Sequence, residues 1–583
     1  MAGERAAATR PERWICDGES SERYPIWTRG NVGEVFPWPV TPGTWSLGVI
    51  QCAEPGWRDA LARFGAFDLS EFSAVNTEII GCFGGYCYLN ASVTRILGVR
   101  TPGLTPEQMD YSLWGEMEGV PAYSPMPGDD DPSKTEAIQA TLGWIFSVPE
   151  LTDLEADQLQ MSELRAARPD FDGMSDAELV AWFRSHAPEL RRLFAEHLYI
   201  TYCSTVPLGV IQGVCTAIGD PTLAMTLVSG IGGVDSAEPS YAFWEMGRAV
   251  RASASLTAAF DAGIEGLLER LRAADDADST AFLQAFGEFT YEFGSRGPNE
   301  WETSAPSWET DPDLPLAAID RMRLADDDQA PRRHQEAMAE GREAAIPGVL
   351  AAVEEDPETH GQLAAALAAA PVFLAGRERT KTNIIRLVNE MRVGSHALGQ
   401  RMVARGYFTK PTSGSMLSDD ELDQFLADPE PWVGTIKERE AQYELLFDLE
   451  APFVFAGDVP PLRTWSERET EPTPVAGGTV LEGIPGCPGS ATGRARVVLD
   501  PSDPTALGPG DVLIAPITDP AWTPLFVPAA AVVVDVGAQL SHAVIVSREL
   551  GIPCVVSVTG GTRLIPDGAQ VTVDGTTGTV TVH

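Results

Sequence analysis

The stretch from Ala530 to Val556, AAVVVDVGAQLSHAVIVSRELGIPCVV, decides how the C-terminal end of this chain folds. Val532–Val536 is a short apolar run of the kind that forms a buried strand. Gly537 turns the chain, and Ser541 stands as an N-cap just before a short helical pattern, which puts His542 at the first helical position. Gly551 sits where a left-handed residue ends a helix, Pro553 lies just beyond, and a second strand follows. The order strand, glycine turn, helix, strand predicts a compact α/β unit.

A histidine at a helix N-terminus has a chemical consequence. The positive end of the helix dipole and the unpaired N–H groups favour an anion there by about 0.3–1 kcal/mol. The same field disfavours imidazolium and leaves the ring neutral and nucleophilic, as formation of a phosphoramidate requires. Position alone fits a packing or capping histidine as well as a nucleophile.

Outward from this unit the composition is uniform. From about residue 481 to the end, short Val/Ile-rich strands (RARVVL, DVLIAP, QVTVDG) alternate with Gly/Pro/Asp turns. Residues 456–480 are rich in Pro, Thr and charge and read as a linker, or else as a surface loop. Before it, from about Pro106 to Leu449, helical patterns dominate, as in Asp176–Leu198 and from about Lys381 to Arg405. Residues 1–75 are rich in Trp, Pro and Gly; Pro37, Pro39 and Pro42 forbid a continuous helix there. The expected fold is α+β and multidomain. A mainly helical domain with a β-containing N-terminal part (1–455) precedes a linker (456–480) and a small α/β domain (481–583).

The chain has 583 residues, 44% apolar and 21% charged, and a net charge of −43. So acidic a surface argues against binding nucleic acid or an anionic membrane, and suits either plain solvation or steering toward a basic partner. The opening MAGERAAATRPERW lacks the apolar core of a signal peptide, and the longest apolar runs fall short of the ~20 residues that span a bilayer. The eight cysteines form no CxxC pair, Cys82 and Cys87 coming nearest, which points to reduced thiols and no metal site. The expectation is a soluble, cytoplasmic protein.

The segment GAQLSHAVIVSRELGIPCVV resembles the active-site signature of the phosphohistidine swivelling domain of PEP-utilising enzymes. That domain occurs in phosphoenolpyruvate synthase, pyruvate phosphate dikinase and rifampin phosphotransferase. GIPGCPGSATGRARVV (Gly483–Val498) is similar to its opening strand and turn, TDPAWTPLF (Thr518–Phe526) to its active-site loop, and DGAQVTVDGTTGTV to its closing strands. The resemblance implies that His542 carries a phosphoryl group, supported by Ser541, Thr518, Trp522 and Arg548.

The N-terminal WTRGNVGEVFPWPVTP, with GGYCYLN, SGIGGVDSAEPSYAFWE and GSRGPNEWETSAPSW, resembles the acceptor-binding domain of rifampin phosphotransferase-like proteins. It departs from that pattern at Ser295, where a histidine is common. Arg377, Glu378 and Lys381 share a helix face and are similar to an Arg-Glu-x-x-Lys group lining the acceptor pocket. Two cations there would clamp a phosphoryl group while the carboxylate orients or deprotonates a hydroxyl; the same spacing also occurs in ordinary surface charge clusters. Trp45, Tyr88, Asn90, Arg296 and His396 are the further candidates for substrate binding, although aromatics are core residues by default and a lone histidine is more often structural.

No Walker-type glycine loop, ATP-grasp stretch or C-terminal phosphoenolpyruvate barrel is recognisable. The architecture therefore resembles the acceptor-plus-histidine subunit of two-component, ATP-dependent phosphotransferases of the phenylphosphate synthase and acetovanillone kinase type. That implies a separate ATP-grasp subunit holding ATP and Mg²⁺, a small phenolic acceptor, and AMP and phosphate as the other products. A regulatory phosphocarrier without turnover, and a rifamycin phosphotransferase, are the alternatives.

Overall fold

The computed structural model describes residues 11–114, 120–468, 471–499, 501, 507–519, 522–538 and 541–583 (residue 328 by its backbone only). The N-terminal sheet is formed by β1 (Ile26–Thr28), β2 (Ile80–Phe83), β3 (Tyr86–Asn90) and β4 (Val454–Ala456). Its order is β2-β3-β1-β4, antiparallel throughout. Gly84 and Gly85, both at positive φ (59° and 80°), form the two-residue turn between β2 and β3. A Cβ on Gly84 would come within 2.3 Å of the Trp465 ring, so this glycine also makes room for that indole.

Two long helices build the body. Pro357–Ala404 is a single helix of 48 residues, about 70 Å long at 1.5 Å per residue. It starts well before the Lys381 expected from sequence, because Asp356 caps the backbone N–H groups of Glu358 and Thr359 and an Ala-rich run follows. The pattern from Asp176 to Leu198 is instead divided into Asp176–Arg184 and Ala187–Ala217, with Pro188 in the first turn of the second helix. The stretch Asp176–Ala217 is long and apolar enough to cross a membrane by composition. Its Leu190, Leu193, Ile200 and Cys203 are nevertheless buried in the core of the N-terminal, mainly helical part.

The C-terminal sheet has the order β5-β12-β11-β7-β8-β9-β10-β6. Its strands are β5 (Val480–Glu482), β6 (Ile484–Cys487), β7 (Ser490–Val497), β8 (Val512–Ala515), β9 (Ala531–Val534), β10 (Cys554–Val556), β11 (Gln570–Asp574) and β12 (Thr579–Val582). The four strands β7, β8, β9 and β10 run parallel, and the helix His542–Leu550 makes the crossover that the parallel pair β9–β10 requires.

The 456–480 segment is not a free tether over its whole length. Gly457 N–H donates to Pro25 O (2.9 Å), Leu462 and Trp465 are buried, and Arg468 N–H donates to Asp448 O (2.7 Å). From Thr473 the chain is bonded to the other domain, with Thr473 to Arg563 O at 3.0 Å and Val475 to Leu564 O at 2.9 Å. Residues 469–472 alone connect the two sets of contacts, and 469–470 lie outside the described residues. The prolines do favour extended backbone, but Leu462 and Trp465 carry apolar surface whose burial outweighs free solvation.

The C-terminal domain is seated on the helical part. Leu525, Phe526 and Val544 share one apolar core with Phe243, Phe289, Trp308 and Met322 of the helical part. Polar contacts fix the seat. The Glu549 carboxylate accepts from Ile231 and Gly232 N–H (3.1 Å each), Asp519 accepts from Asn299 N–H (2.8 Å), and His334 Nδ1 meets Leu550 O (3.0 Å). The glycine turn that offers the Glu549 contacts has Gly230, Gly232 and Gly233 at positive φ, which only glycine adopts without strain.

Candidate active site

His542 opens its helix behind Ser541, whose backbone is extended (φ −67°, ψ 156°) and whose hydroxyl has no hydrogen-bond partner among the described residues. The Glu34 carboxylate of the other domain faces this helix N-terminus, near enough that the His542 backbone N–H draws its pKa down slightly. The imidazole is gripped on both nitrogens: Nδ1 lies 3.1 Å from Thr518 Oγ1 and Nε2 3.2 Å from Thr523 Oγ1. Phe526 stands edge-on to the ring at 5.8 Å. Burial holds the His542 pKa well below its ordinary value, helped by the positive charges of Lys381 and Arg296 and opposed by Glu378. A neutral ring with one lone pair is what a nucleophilic phosphoryl carrier needs.

Facing it, the helix Pro357–Ala404 presents Arg377, Glu378 and Lys381. Both oxygens of Glu378 are engaged: Oε1 accepts from Arg377 Nη1 (2.5 Å) and Oε2 from the Ser236 hydroxyl. Ser236 Oγ in turn accepts from Arg296 Nη2 (3.1 Å). Arg296 Nη1 and Lys381 Nζ each lie 3.4 Å from Glu300 Oε1. Burial alone would raise the Glu378 pKa, but Arg377, Lys381, the Ser236 hydroxyl and Arg296 outweigh it and bring it down to about 2. Glu378 is therefore a permanent anion that holds Arg377 directly and Arg296 through Ser236.

A cavity of ≈ 120 Å³ lies between these groups. Its far wall is apolar, formed by Val49, Trp57, Leu190, Phe194, Trp301 and Met391. Its near end carries Glu34, Glu300, Arg377, Glu378, Lys381 and His542. Thr44, Gly48, Val49 and Ala53 of the wall belong to Thr44–Ala53, a wide helical segment whose cap N–H at Glu54 reaches back five residues to Val49 O. Such winding recurs at functional sites. His197 also borders the cavity. Its Nδ1 is 3.0 Å from Thr380 Oγ1, and burial, with Arg377 nearby, lowers its pKa to about 3, so it stays neutral.

The structure thus brings together His542, Thr518, Arg377, Glu378 and Lys381. Arg296 stands one bond behind them, and Ser541 lies at the carrier turn. Trp522 is buried in the apolar core shared by the two halves, and Arg548 is buried farther along the carrier helix beside Glu549. Four expected acceptor contacts are elsewhere. The Trp45 indole packs into the acceptor core while its neighbours Thr44 and Gly48 form the wall. Tyr88 donates its hydroxyl to Pro452 O (2.8 Å), and Asn90 caps a helix through Val93 N–H (3.1 Å) while donating to Tyr24 O (2.8 Å). His396 borders a separate hollow with Arg392 and Ser395. Ser295 is buried beside Arg296.

Glu34, Thr523, His197, Ser236 and Glu300 are members that sequence reasoning did not single out. All but His197 lie inside segments whose resemblance had already drawn attention; what was missing was which side chain of each segment turns inward.

The fold and site are those of a small α/β domain bearing His542, seated on a helical domain, and both halves are similar to parts of known proteins. Residues 507–578 match the family model of the PEP-utilising enzyme mobile domain, and residues 197–378 that of the rifampicin phosphotransferase fourth domain. A rifampicin phosphotransferase of Streptomyces sviceus is 26% identical over 370 residues, 63% of this chain and 42% of its own length. The prodigiosin synthesizing transferase PigC of Serratia marcescens is 31% identical over 333 residues, covering 53% of this chain and 34% of its own. An uncharacterised protein of Mycobacterium tuberculosis is 36% identical over 209 residues, 36% of this chain and 23% of its own. The matched regions span less than half the length of these curated relatives.

Proposed function

We propose that this chain is a phosphotransferase that passes a phosphoryl group from His542 to the hydroxyl of a small aromatic acceptor. The observation that carries this reading is the cavity itself. A neutral, doubly held histidine closes the polar end of an apolar chamber whose charged clamp, Arg377 and Lys381 around Glu378, faces it. Two cations at that end stabilise the charge of a phosphoryl group in flight, and the apolar walls suit a flat ring. Thr523 stands where it donates to Nε2 and, after loading, to a phosphoryl oxygen.

The size of the cavity bears on the acceptor. An apolar cavity on the order of 150 Å³ takes a single benzene ring, and the ≈ 120 Å³ here is of that scale. A macrocyclic antibiotic is many times larger than one ring. The similarity to rifampicin phosphotransferases favours the rifamycin reading, whereas the cavity favours a phenol. The charge on His542 would come from a separate ATP-grasp subunit holding ATP and Mg²⁺, a reading that rests on the family resemblance.

The test is a screen of phenols with ATP, Mg²⁺ and a candidate ATP-grasp subunit. AMP is expected only when protein, partner and phenol are all present, together with an aryl phosphate. AMP formation with no phosphorylated phenol would support a regulatory carrier, and phosphorylation of a rifamycin but of no phenol would move the acceptor class.

A further inference from the structure

The clamp leaves one task unassigned. A phenol must lose its proton as its oxygen attacks phosphorus, and Glu378 is badly placed to take it. Both of its oxygens are engaged, by Arg377 and Ser236, and its pKa is held near 2. Glu300 is likewise committed on one oxygen, to Arg296 and Lys381. A carboxylate held as low as Glu378 lacks the affinity for a proton that a base at neutral pH requires.

Glu34 differs on each count. It borders the same cavity, is half-buried, and is joined to no cation by an ion pair among the described residues. It is delivered by an unusual piece of backbone. Asn31 (φ 69°, ψ −67°) centres a three-residue turn closed by Val32 N–H to Gly30 O at 3.0 Å, a strained conformation for a non-glycine residue. The turn is braced on both sides. A Cβ on Gly30 would come within 2.6 Å of Leu113 O, and the buried Arg29 donates to Cys87 O (2.6 Å) and Phe36 O (2.9 Å). The short helix Val32–Val35 then places the Glu34 carboxylate on the cavity wall shared with His542, facing the helix N-terminus that Ser541 leaves uncapped. Burial raises the Glu34 pKa to about 7, against the pull of Arg377, Lys381 and the His542 N–H.

From this geometry we propose that Glu34 is the catalytic base that takes the acceptor's hydroxyl proton, and that it reaches this position only when the carrier is seated. The inference rests on the phosphoryl-transfer reading above. In the step, the acceptor oxygen forms the new O–P bond as the Nε2–P bond of phospho-His542 breaks. The Nε2–P electron pair returns to the ring, which leaves as neutral imidazole with its proton on Nδ1, donated to Thr518. The hydroxyl proton goes to the Glu34 carboxylate, which releases it to water when the carrier undocks. Glu34 thereby ties deprotonation to docking, because the same carboxylate that faces the N-terminus of the seated carrier helix activates the acceptor.

The experiment uses the full chain loaded on His542 with phosphoramidate, a small-molecule histidine phosphorylating agent, and follows single-turnover transfer to phenol and to the more acidic 4-nitrophenol. Glu34→Gln should load normally, giving an acid-labile, base-stable phosphoprotein. It should lose about 10²–10⁴-fold in transfer to phenol, the usual worth of a positioned base. With 4-nitrophenol, already largely ionised at neutral pH, most of that loss should vanish. Glu34→Asp, which keeps a carboxylate, should transfer to phenol faster than Glu34→Gln, and thermal melts of both variants report whether the fold is intact. Equal loss on both phenols, or no loss on either, in a folded Glu34→Gln overturns the assignment while leaving the phenol reading standing. Absence of transfer from loaded wild type to any phenol overturns the phenol reading and the base with it.

Discussion

Two regions meet at His542 and hold their charges in opposite ways. On the helix Pro357–Ala404, Arg377, Glu378 and Lys381 are locked by one another and by Ser236, Arg296 and Glu300, all within the acceptor half. The carrier half is different. His542 is presented by a short helix whose N-terminus faces Glu34 across the interface and which is seated through Glu549 and Asp519. The first arrangement is preorganised and needs no partner; the second exists only in the docked state. On the proposed function, that difference predicts that the clamp serves the transfer half-reaction alone, whereas the residues on the carrier side serve loading, docking or both.

The largest expected effect breaks the carrier side. His542→Ala should abolish both loading and transfer, because it removes the ring nitrogen proposed to carry the phosphoryl group. Acid-labile phosphate on the folded variant, with transfer to phenol intact, would remove the histidine from the mechanism. Next comes the clamp. Lys381→Ala should load normally and lose about 10²–10³-fold in transfer, the scale seen when one electrostatic stabiliser of a transition state is removed. Unlike Glu34→Gln, it should show no recovery with 4-nitrophenol, since charge stabilisation is needed whatever the acceptor's acidity. An equal loss in loading would mean that Lys381 supports folding or docking.

A pH profile sharpens the contrast at smaller scale. Glu34 faces Arg377 and Lys381 of the long helix and the His542 N–H of the carrier helix, and its pKa is raised to about 7. A base works deprotonated, so single-turnover transfer to phenol should be level above that pH and fall by about tenfold per unit below it. Glu378, held near 2, contributes no limb in that range. A flat profile from pH 5 to 8 in wild type would contradict the base assignment.

The smallest effects test the seat. Glu549→Ala removes two backbone contacts from a docked surface that keeps its apolar core, so transfer should fall only severalfold with loading unchanged. Proteolysis of the native chain should cut first between residues 468 and 473, the segment between the two sets of tether contacts, and release the carrier domain whole. First cleavage at 456–465 would mean that the packing of Leu462 and Trp465 is easily lost.

Much of this molecule was already legible in the sequence, in the places where the cause is local. The strand–turn–helix–strand order around His542, the N-cap at Ser541 and the glycine stop at Gly551 each follow from one or two residues and their backbone preferences. So did the shared face of Arg377, Glu378 and Lys381, which is helix geometry. Tertiary structure decided whatever depends on which side of an element turns inward. Tyr88 and Asn90 stand in a segment that resemblance picks out, yet sheet pairing turns them to Pro452 and Tyr24 and leaves the cavity to others. Residues 456–468 have a linker's composition, but two apolar side chains find a glycine hairpin shaped to receive one of them. Glu34 is the sharpest case. Its sequence neighbours do not distinguish it from any acidic residue on a loop. Only the strained turn at Asn31, the bracing by Arg29 and the arrival of another domain's helix N-terminus give it a half-buried carboxylate that forms no ion pair among the described residues. Those are long-range contacts, and no local pattern encodes them.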